Sequence, residues 1–432
     1  MSIMTRNDEA WIKLFEKYRI LEQITSDGRF IIKADEIKEF REPRLMTKFD
    51  HMINLPKIFK DNHLSILPLT RGTYVISSFL TYEKLPKGDA PQIEKISAPL
   101  EIQSLTPQNL ISETMALNYA NICEILDEFL EDEQIVSTVN GRMGGGNFKF
   151  NINLYNGLQA ECKVSNPQIE IDAAYEGRRY LTLFEAKREV VADDFLIRQL
   201  YYPFRTWRER VTKTVKSVFM VYADGVFDFY QYNFEDPMHY NSLYLAKRKR
   251  FIIETEIALK SVIELAQTIV LVQEDPKIPF PQADRMSRVI SLLELLNRKG
   301  CASHKEITEN FAFDARQTDY YTRAGAYLGF VEIGKDKNKK TVFRLSPLGK
   351  KTITQRYEER QLTIIKQVLQ HKIFNEVFLL CVKEGKMPER NRVVELMKAA
   401  RLNKIEKEET YRRRAGTITG WINWILELVN KD

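Results

Sequence analysis

Cysteine is scarce. The chain has four in 432 residues, Cys123, Cys162, Cys301 and Cys381, and no CxxC. That spacing excludes a disulfide scaffold and a zinc ribbon, and it points to a reducing, intracellular setting. Histidine is nearly as rare, and the five (His51, His63, His239, His304, His371) form no HxH or HxxxH pair. A histidine-built metal site is therefore not expected. Long apolar runs are missing as well. The greasiest stretch, residues 257–272, still carries Lys260 and Glu264, and the first residues lack the apolar core of a secretory signal. No membrane span is expected, and the expected location is cytoplasmic. No GxGxxG, GxxxxGK[ST] or GxSxG occurs, which removes nucleotide-phosphate loops and the hydrolase elbow.

What is present is a globular composition, 44% apolar, 29% charged and 11% aromatic, too rich in aromatics for a mainly disordered chain. The net charge of +6 averages two unlike parts. From Pro276 onward 31 Lys+Arg face 19 Asp+Glu, a charge of +12, whereas residues 1–275 hold 34 against 40, or −6. A basic third joined to an acidic two-thirds suggests that one part meets a polyanion. Chance segregation of solvated charge is the other reading.

Pattern divides the chain into four parts. Residues 1–105 mix helical (10–18) and strand-like (72–82) pieces, with 85–105 reading as a linker. Residues 106–275 begin with an amphipathic helix over 112–131. Strand-like runs follow at 148–154, 158–164, 169–172 and 180–187. A helical stretch over 193–210 then leads to strands at 217–222 and 226–234, an α/β or α+β core. The proline-rich 275–282 is a boundary. Residues 283–352 read as helices over 287–296 and 320–328 with a basic hairpin, 330–333 and 341–345. Ser303 and Glu306 have capping-box spacing, which Asp314 and Gln317 repeat. Residues 360–432 are all-helical.

One constellation carries chemistry. Asp172 ends QIEID, and Glu185-Ala186-Lys187 ends YLTLFEAK. A turn at Glu176-Gly177 makes the intervening residues a hairpin. Side chains two apart on a strand share a face, so Glu185 and Lys187 point together, and Asp172 joins them from the neighbouring strand. Two carboxylates so placed are hard oxygen ligands suited to Mg²⁺, with the Ala186 carbonyl within reach. The ion polarises a phosphodiester oxygen and acidifies an attacking water. Lys187 orients that water or stabilises charge developing on phosphorus. The following helix aligns Arg198, Tyr202 and Arg205, with Tyr201 and Arg208 beside them, a cationic and aromatic face suited to a phosphate backbone. Core packing is the alternative for Tyr201, Tyr202 and Trp207.

These residues resemble a known family. IEID…LTLFEAK is similar to the PD-(D/E)xK nuclease superfamily. IEIDAAYEGRRYLTLFEAKREVVADDFLIRQLYYPFRTW more closely resembles a group of type II restriction endonucleases, although Ile171 stands where the superfamily often has proline. The resemblance covers residues 165–235. It implies a PD-(D/E)xK core with Asp172, Glu185 and Lys187 as catalytic residues, Asp172 and Glu185 on Mg²⁺, and Gln199 in support. A helix glutamate, Glu113 or Glu124, is a further possibility on that comparison. It also implies duplex DNA as substrate, a homodimer, and functional pairing with a DNA methyltransferase.

The basic third supplies reading heads. YLGFVEIGKDKNKKTVFRLSPLGKK resembles winged-helix domains. The recognition helix is expected at 314–328, presenting Arg316, Gln317, Tyr320 and Arg323 to base edges. The wing is expected at 334–341, with Lys335, Lys337, Lys339 and Lys340 near phosphates. EETYRRRAGTITGWINWI looks like a second helix-turn-helix, with Tyr411, Arg412, Arg413 and Arg414 at its start. A solvated basic face over an aromatic core is the plainer reading there. No site is assigned to residues 1–105, although 41–51 and 67–74 carry basic residues near turns. The whole reads as an α/β (α+β) PD-(D/E)xK core with a mainly helical winged-helix C-terminal region. The expected function is a Mg²⁺-dependent, sequence-specific endonuclease of duplex DNA. The rivals are a non-catalytic DNA-binding regulator and a structure-specific repair or recombination nuclease.

Overall fold

β-Rich sequence between residues 136 and 253 folds into sheets, and the sequence beyond 257 folds mainly into helices. The computed structural model describes residues 4–86, 92–99, 101–188, 194–311, 315–400, 402 and 407–430. The chain is mixed α+β with a helical C-terminal region. It divides into two compact units, neither of them one stretch of chain. The first takes residues 1–92, 111–222 and 227–250, the second 93–110, 223–226 and 251–432. No helix among the described residues is long and apolar enough to cross a membrane.

In the first unit, helix Arg6–Tyr18 starts in a reciprocal cap, with Thr5 Oγ1 accepting the Asp8 N–H and Asp8 Oδ2 accepting the Thr5 N–H. Its apolar face, Trp11, Leu14 and Phe15, shares a buried cluster with Phe30, Ile32, Ile66 and Ile76 of the small sheet Phe30–Lys33, Thr73–Ser77, Ser65–Pro68. The larger sheet runs, in spatial order, Leu243–Ile253, Val226–Phe234, Thr214–Ala223, Tyr180–Arg188, Ala173–Glu176, Val136–Ser137. Tyr180–Arg188 and Thr214–Ala223 are parallel neighbours. Parallel neighbours need a long crossover, and helix Arg198–Arg208 lies within it.

Several elements differ from the sequence expectation. Residues 112–131 form two helices, Glu113–Ile122 and Ile125–Leu130, because Glu124 adopts a left-handed φ of 59° between them. Of the stretch 193–210, Asp193 lies outside the described residues. Asp194–Leu196 is a strand paired with Tyr82–Lys84, and the helix starts at Arg198. Within 85–105, strand Ile93–Ile96 is ordered structure of the second unit, while 87–91 and 100 lie outside the described residues. Strand Leu243–Ile253, which carries the Lys247–Arg250 run, is not among the elements expected from the sequence. Those charges are met by Glu131, Glu128 and Asp228.

In the second unit, helix Met286–Lys299, strand Cys301–Ser303, and helices His304–Phe311 and Ala315–Tyr327 precede strands Val331–Lys335 and Thr341–Leu345. The three strands pair in the order Cys301–Ser303, Thr341–Leu345, Val331–Lys335. The Ser303–Glu306 cap forms as expected, and Asp314 lies outside the described residues. Among the described residues five helices follow, Pro347–Ile353, Tyr357–Leu369, Lys372–Glu384, Arg390–Ala399 and Glu408–Leu428. Residues 223–226 also belong to this unit. The Asp224-Gly225 turn has positive φ at both positions, the two-residue geometry that favours Asp-Gly. A Cβ at Gly225 would meet the Tyr357 hydroxyl at 2.2 Å.

Candidate functional site

Asp172 sits between strand Gln168–Ile171, paired with Gly141–Gly144, and strand Ala173–Glu176, paired with Tyr180–Arg188. The chain changes sheets at this residue. Because Ala173 lies opposite Phe184, Asp172 falls beside Glu185, and its Oδ2 accepts the Ala186 N–H at 2.8 Å. Glu185 is 6% exposed. The two-residue strand period sets Lys187 on its face, with Lys187 Nζ donating to Glu185 Oε1 at 2.5 Å. Gln199 Nε2, from the first turn of helix Arg198–Arg208, donates to the same oxygen. The sequence reading thus named four side chains that the fold gathers in one place.

A fifth comes from the N-terminal segment. Asp50 Oδ2 lies 3.8 Å from Lys187 Nζ. The segment is stitched down by its backbone and by its neighbours. The Asp50 carbonyl accepts the Leu196 N–H at 3.1 Å, His51 Nδ1 donates to the Asp194 carbonyl at 2.6 Å, and the Met52 N–H donates to Asp194 Oδ2 at 3.2 Å. All five side chains line a cleft of about 790 Å³, together with half-buried Glu113 and Arg198 and exposed Lys38, Arg44 and Arg71. Those last three make no ion pair among the described residues, whereas Lys48 and Arg142, also in the cleft wall, share Glu170.

Burial dominates the electrostatics. It raises the Asp172 carboxyl above the usual range, against the pull of the Ala186 N–H and Lys187. It pushes Glu185 up to about 7, with Lys187 opposing and the Asp172 charge adding. Burial works to lower Lys187 too, but Glu185 and Asp50 outweigh it and hold the ammonium above its ordinary value. Asp50 Oδ1 and Gln199 Oε1 are buried without a hydrogen-bond partner. The site therefore has more oxygen acceptors than one ammonium satisfies. Among the described residues no three His, Cys, Asp or Glu converge into a ready metal cage. The set does fit Mg²⁺, which takes one or two carboxylates and keeps several waters.

The other sequence candidates divide. Arg198 lies over the Tyr202 ring at 5.9 Å and reaches the cleft. Arg205 does not. It is 5% exposed, and its Nη1 is spent on the carbonyls of Lys149 and Pro237 and on the Tyr201 hydroxyl. Tyr201 and Tyr202 are fully buried, so core packing accounts for them. Glu113 lines the cleft, while Glu124 stands at the helix break.

In the second unit, Arg316 and Arg323 are exposed and Gln317 and Tyr320 half-buried on a helix whose other face buries Thr318, Tyr321 and Thr322. Lys335, Lys337, Lys339 and Lys340 are exposed on a loop held by Asp336, whose Oδ1 accepts the N–H groups of Asn338 and Lys340 at 2.8 Å each. Arg412 and Arg413 are exposed, Arg412 lying 3.7 Å from Glu408. Arg414 has two guanidinium nitrogens buried without a partner. Burial, and then the nearby Arg413 and Arg323 charges, lower its pKa. Asp50, Arg44 and Arg71 were missed as site residues. The one available signal was that they fall in the basic turn segments 41–51 and 67–74.

Three family models match the chain, each described as a domain of unknown function: DUF6996 over residues 8–76, DUF6997 over 77–252 and DUF7226 over 288–430. No curated protein and no solved structure matches it.

Proposed function

We propose that the chain is a Mg²⁺-dependent endonuclease of the PD-(D/E)xK kind that hydrolyses both strands of duplex DNA at a specific sequence. This is the activity of a type II restriction endonuclease, a cytoplasmic homodimer partnered in function by a DNA methyltransferase. The observation that carries the reading is the convergence of Asp172, Glu185 and Lys187, at adjoining strand ends, with Gln199, from the first turn of helix Arg198–Arg208, in one cleft. Asp172, Glu185 and the Ala186 carbonyl would hold Mg²⁺, which when bound polarises a phosphodiester oxygen and acidifies water. The Lys187 ammonium stabilises negative charge growing on phosphorus. Gln199 holds the Glu185 carboxylate in orientation through its amide donor. In the second unit, the order of helices and strands, with the exposed Arg316–Arg323 face and the lysine loop, supports a winged helix.

The test is direct. Unmethylated phage DNA incubated with the purified chain and Mg²⁺ yields discrete fragments, and Glu185→Ala yields none. Binding without cutting in Mg²⁺ or Mn²⁺ overturns the reading in favour of a DNA-binding regulator. Cutting confined to branched DNA favours a repair nuclease.

Two further results are expected. Because Glu185 is pushed up to about 7, it must release a proton to ligate an ion. Mn²⁺ affinity therefore tightens from pH 6 to 8, with a slope near tenfold per unit below 7. Titration calorimetry in buffers of different ionisation enthalpy measures the released proton. A flat affinity would exclude Glu185 as a ligand. The lysine loop carries charge without base readout, so Lys337→Ala with Lys339→Ala weakens cognate and random duplexes alike. It also lowers the salt slope by about 2. Arg316→Ala instead weakens mainly the cognate duplex, by about 1–3 kcal/mol. Fluorescence anisotropy across a salt series separates the two effects.

A further inference from the structure

We infer that Asp50 is a positioning residue for Lys187, the second seat of its ammonium; the assignment rests on the reading of Glu185 and Lys187 as site residues. Lys187 Nζ has two anionic neighbours, Glu185 Oε1 at 2.5 Å and Asp50 Oδ2 at 3.8 Å. The nearer carboxylate is already shared with Gln199, and it is the one a divalent ion draws on. A cation beside Glu185 repels the ammonium that rests on it. Asp50 is then the counter-charge that keeps Lys187 in the cleft rather than in solvent.

Three features suit Asp50 to that task. Its Oδ1 is buried without a partner, so the carboxylate has acceptor capacity to spare. Its side chain is 24% exposed and that of Lys187 19%, so water and salt screen the pair less than a surface pair. Its backbone is fixed by the Leu196 N–H and its neighbours by Asp194, contacts that do not use the Asp50 carboxylate. Asparagine in its place keeps the segment docked and removes only the charge. Asp50 and Lys187 also fall in different family matches, 8–76 and 77–252. The N-terminal segment therefore supplies part of the site itself.

The experiment is a double-mutant cycle on the full chain with Asp50→Asn, Lys187→Met and both. Single-turnover cleavage slows about 10–100-fold in Asp50→Asn, while duplex affinity measured in EDTA stays within about twofold. Asp50→Glu recovers part of the rate, and Asp50→Asn adds nothing once Lys187 is methionine. A second readout needs no cleavage. Acylation of Lys187 by a water-soluble amine reagent, followed by mass spectrometry, stays slow in the wild type with or without Mg²⁺. In Asp50→Asn it accelerates several-fold when Mg²⁺ is added. Additive losses in the cycle, or acylation of Lys187 that Asp50→Asn leaves unchanged, overturn the assignment. A wild type that cuts no DNA removes the nuclease reading, and the acylation result alone then decides the role of Asp50.

Discussion

Glu185→Gln is expected to lose single-turnover DNA cleavage by about 10³–10⁴-fold and yet to melt at a higher temperature than the wild type at pH 8. The amide keeps the shape of the carboxyl, and its oxygen still accepts from Lys187 and Gln199. What it removes is negative charge at a position 6% exposed, where burial pushes the carboxyl up to about 7. In the unfolded chain this carboxyl ionises near its ordinary value. Between that value and about 7 the folded chain holds a proton that the unfolded chain has lost, so wild-type stability falls as pH rises through this window. Glutamine mimics the protonated form at every pH. The two melting temperatures therefore coincide in acid, separate as pH rises from the ordinary carboxylate value to about 7, and stay apart above it, a stability difference on the order of 3 kcal/mol. Calorimetry without divalent ions checks the sign. A gap that narrows with rising pH would contradict it, and an amide variant that still cuts DNA would remove Glu185 from the chemistry.

The second large effect lies away from the cleft. Asp224→Ala should destabilise the second unit by about 3–5 kcal/mol, the cost of leaving one partner of a buried ion pair uncompensated. Asp224 Oδ1 accepts from Arg360 Nη2 and Gln361 Nε2 at 2.8 Å each, and Oδ2 accepts from Trp424 Nε1 at 3.3 Å. Both members of the ion pair are 1% exposed. Without the carboxylate, the Arg360 guanidinium keeps Glu294 at 3.4 Å as its carboxylate partner among the described residues. For a unit of this size the melting temperature falls by roughly 6–20 °C. Asp224→Leu combined with Arg360→Met should recover much of the loss, because replacing a buried pair by apolar groups is often near neutral. Gly225→Ala fails by a different route, since its φ of 78° disfavours a Cβ and Tyr357 occupies the space. A loss below about 1 kcal/mol for Asp224→Ala would mean that water reaches the pair and replaces the carboxylate.

Legibility in the sequence followed distance along the chain. Glu185 and Lys187 were readable because a strand repeats every two residues, and Asp172 because a hairpin turn brings it back beside them. The start of helix His304–Phe311 was readable from its cap, and helix Ala315–Tyr327 and the lysine loop from their residue pattern. The failures share a cause. The spacing of Arg198, Tyr202 and Arg205 reports a common helix face, but nothing in it says that Arg205 ends under the carbonyls of Lys149 and Pro237. Residues 112–131 keep helical spacing across Glu124, so the left-handed break leaves no trace in the pattern. The run Lys247–Arg250 gives no local sign of its partners, because the acids that meet it, Glu128, Glu131 and Asp228, lie elsewhere in the sequence. Asp50 belongs to the same class. Its place beside Lys187 is set by hydrogen bonds between residues 50–52 and residues 194–196, which no local pattern encodes.

The Asp224–Arg360 pair also sets a clock on the ribosome. The two residues are 136 positions apart. At about 5–20 residues per second, the aspartate emerges roughly 7–27 s before the arginine that neutralises it. Over that interval the turn carries a carboxylate whose eventual surroundings are apolar and still unmade. Its solvation by water delays burial until the helices that cover it have been synthesised. A nascent chain halted before Arg360 should therefore show residues 223–226 open to protease, and one released with helix Tyr357–Leu369 and helix Glu408–Leu428 complete should show them closed.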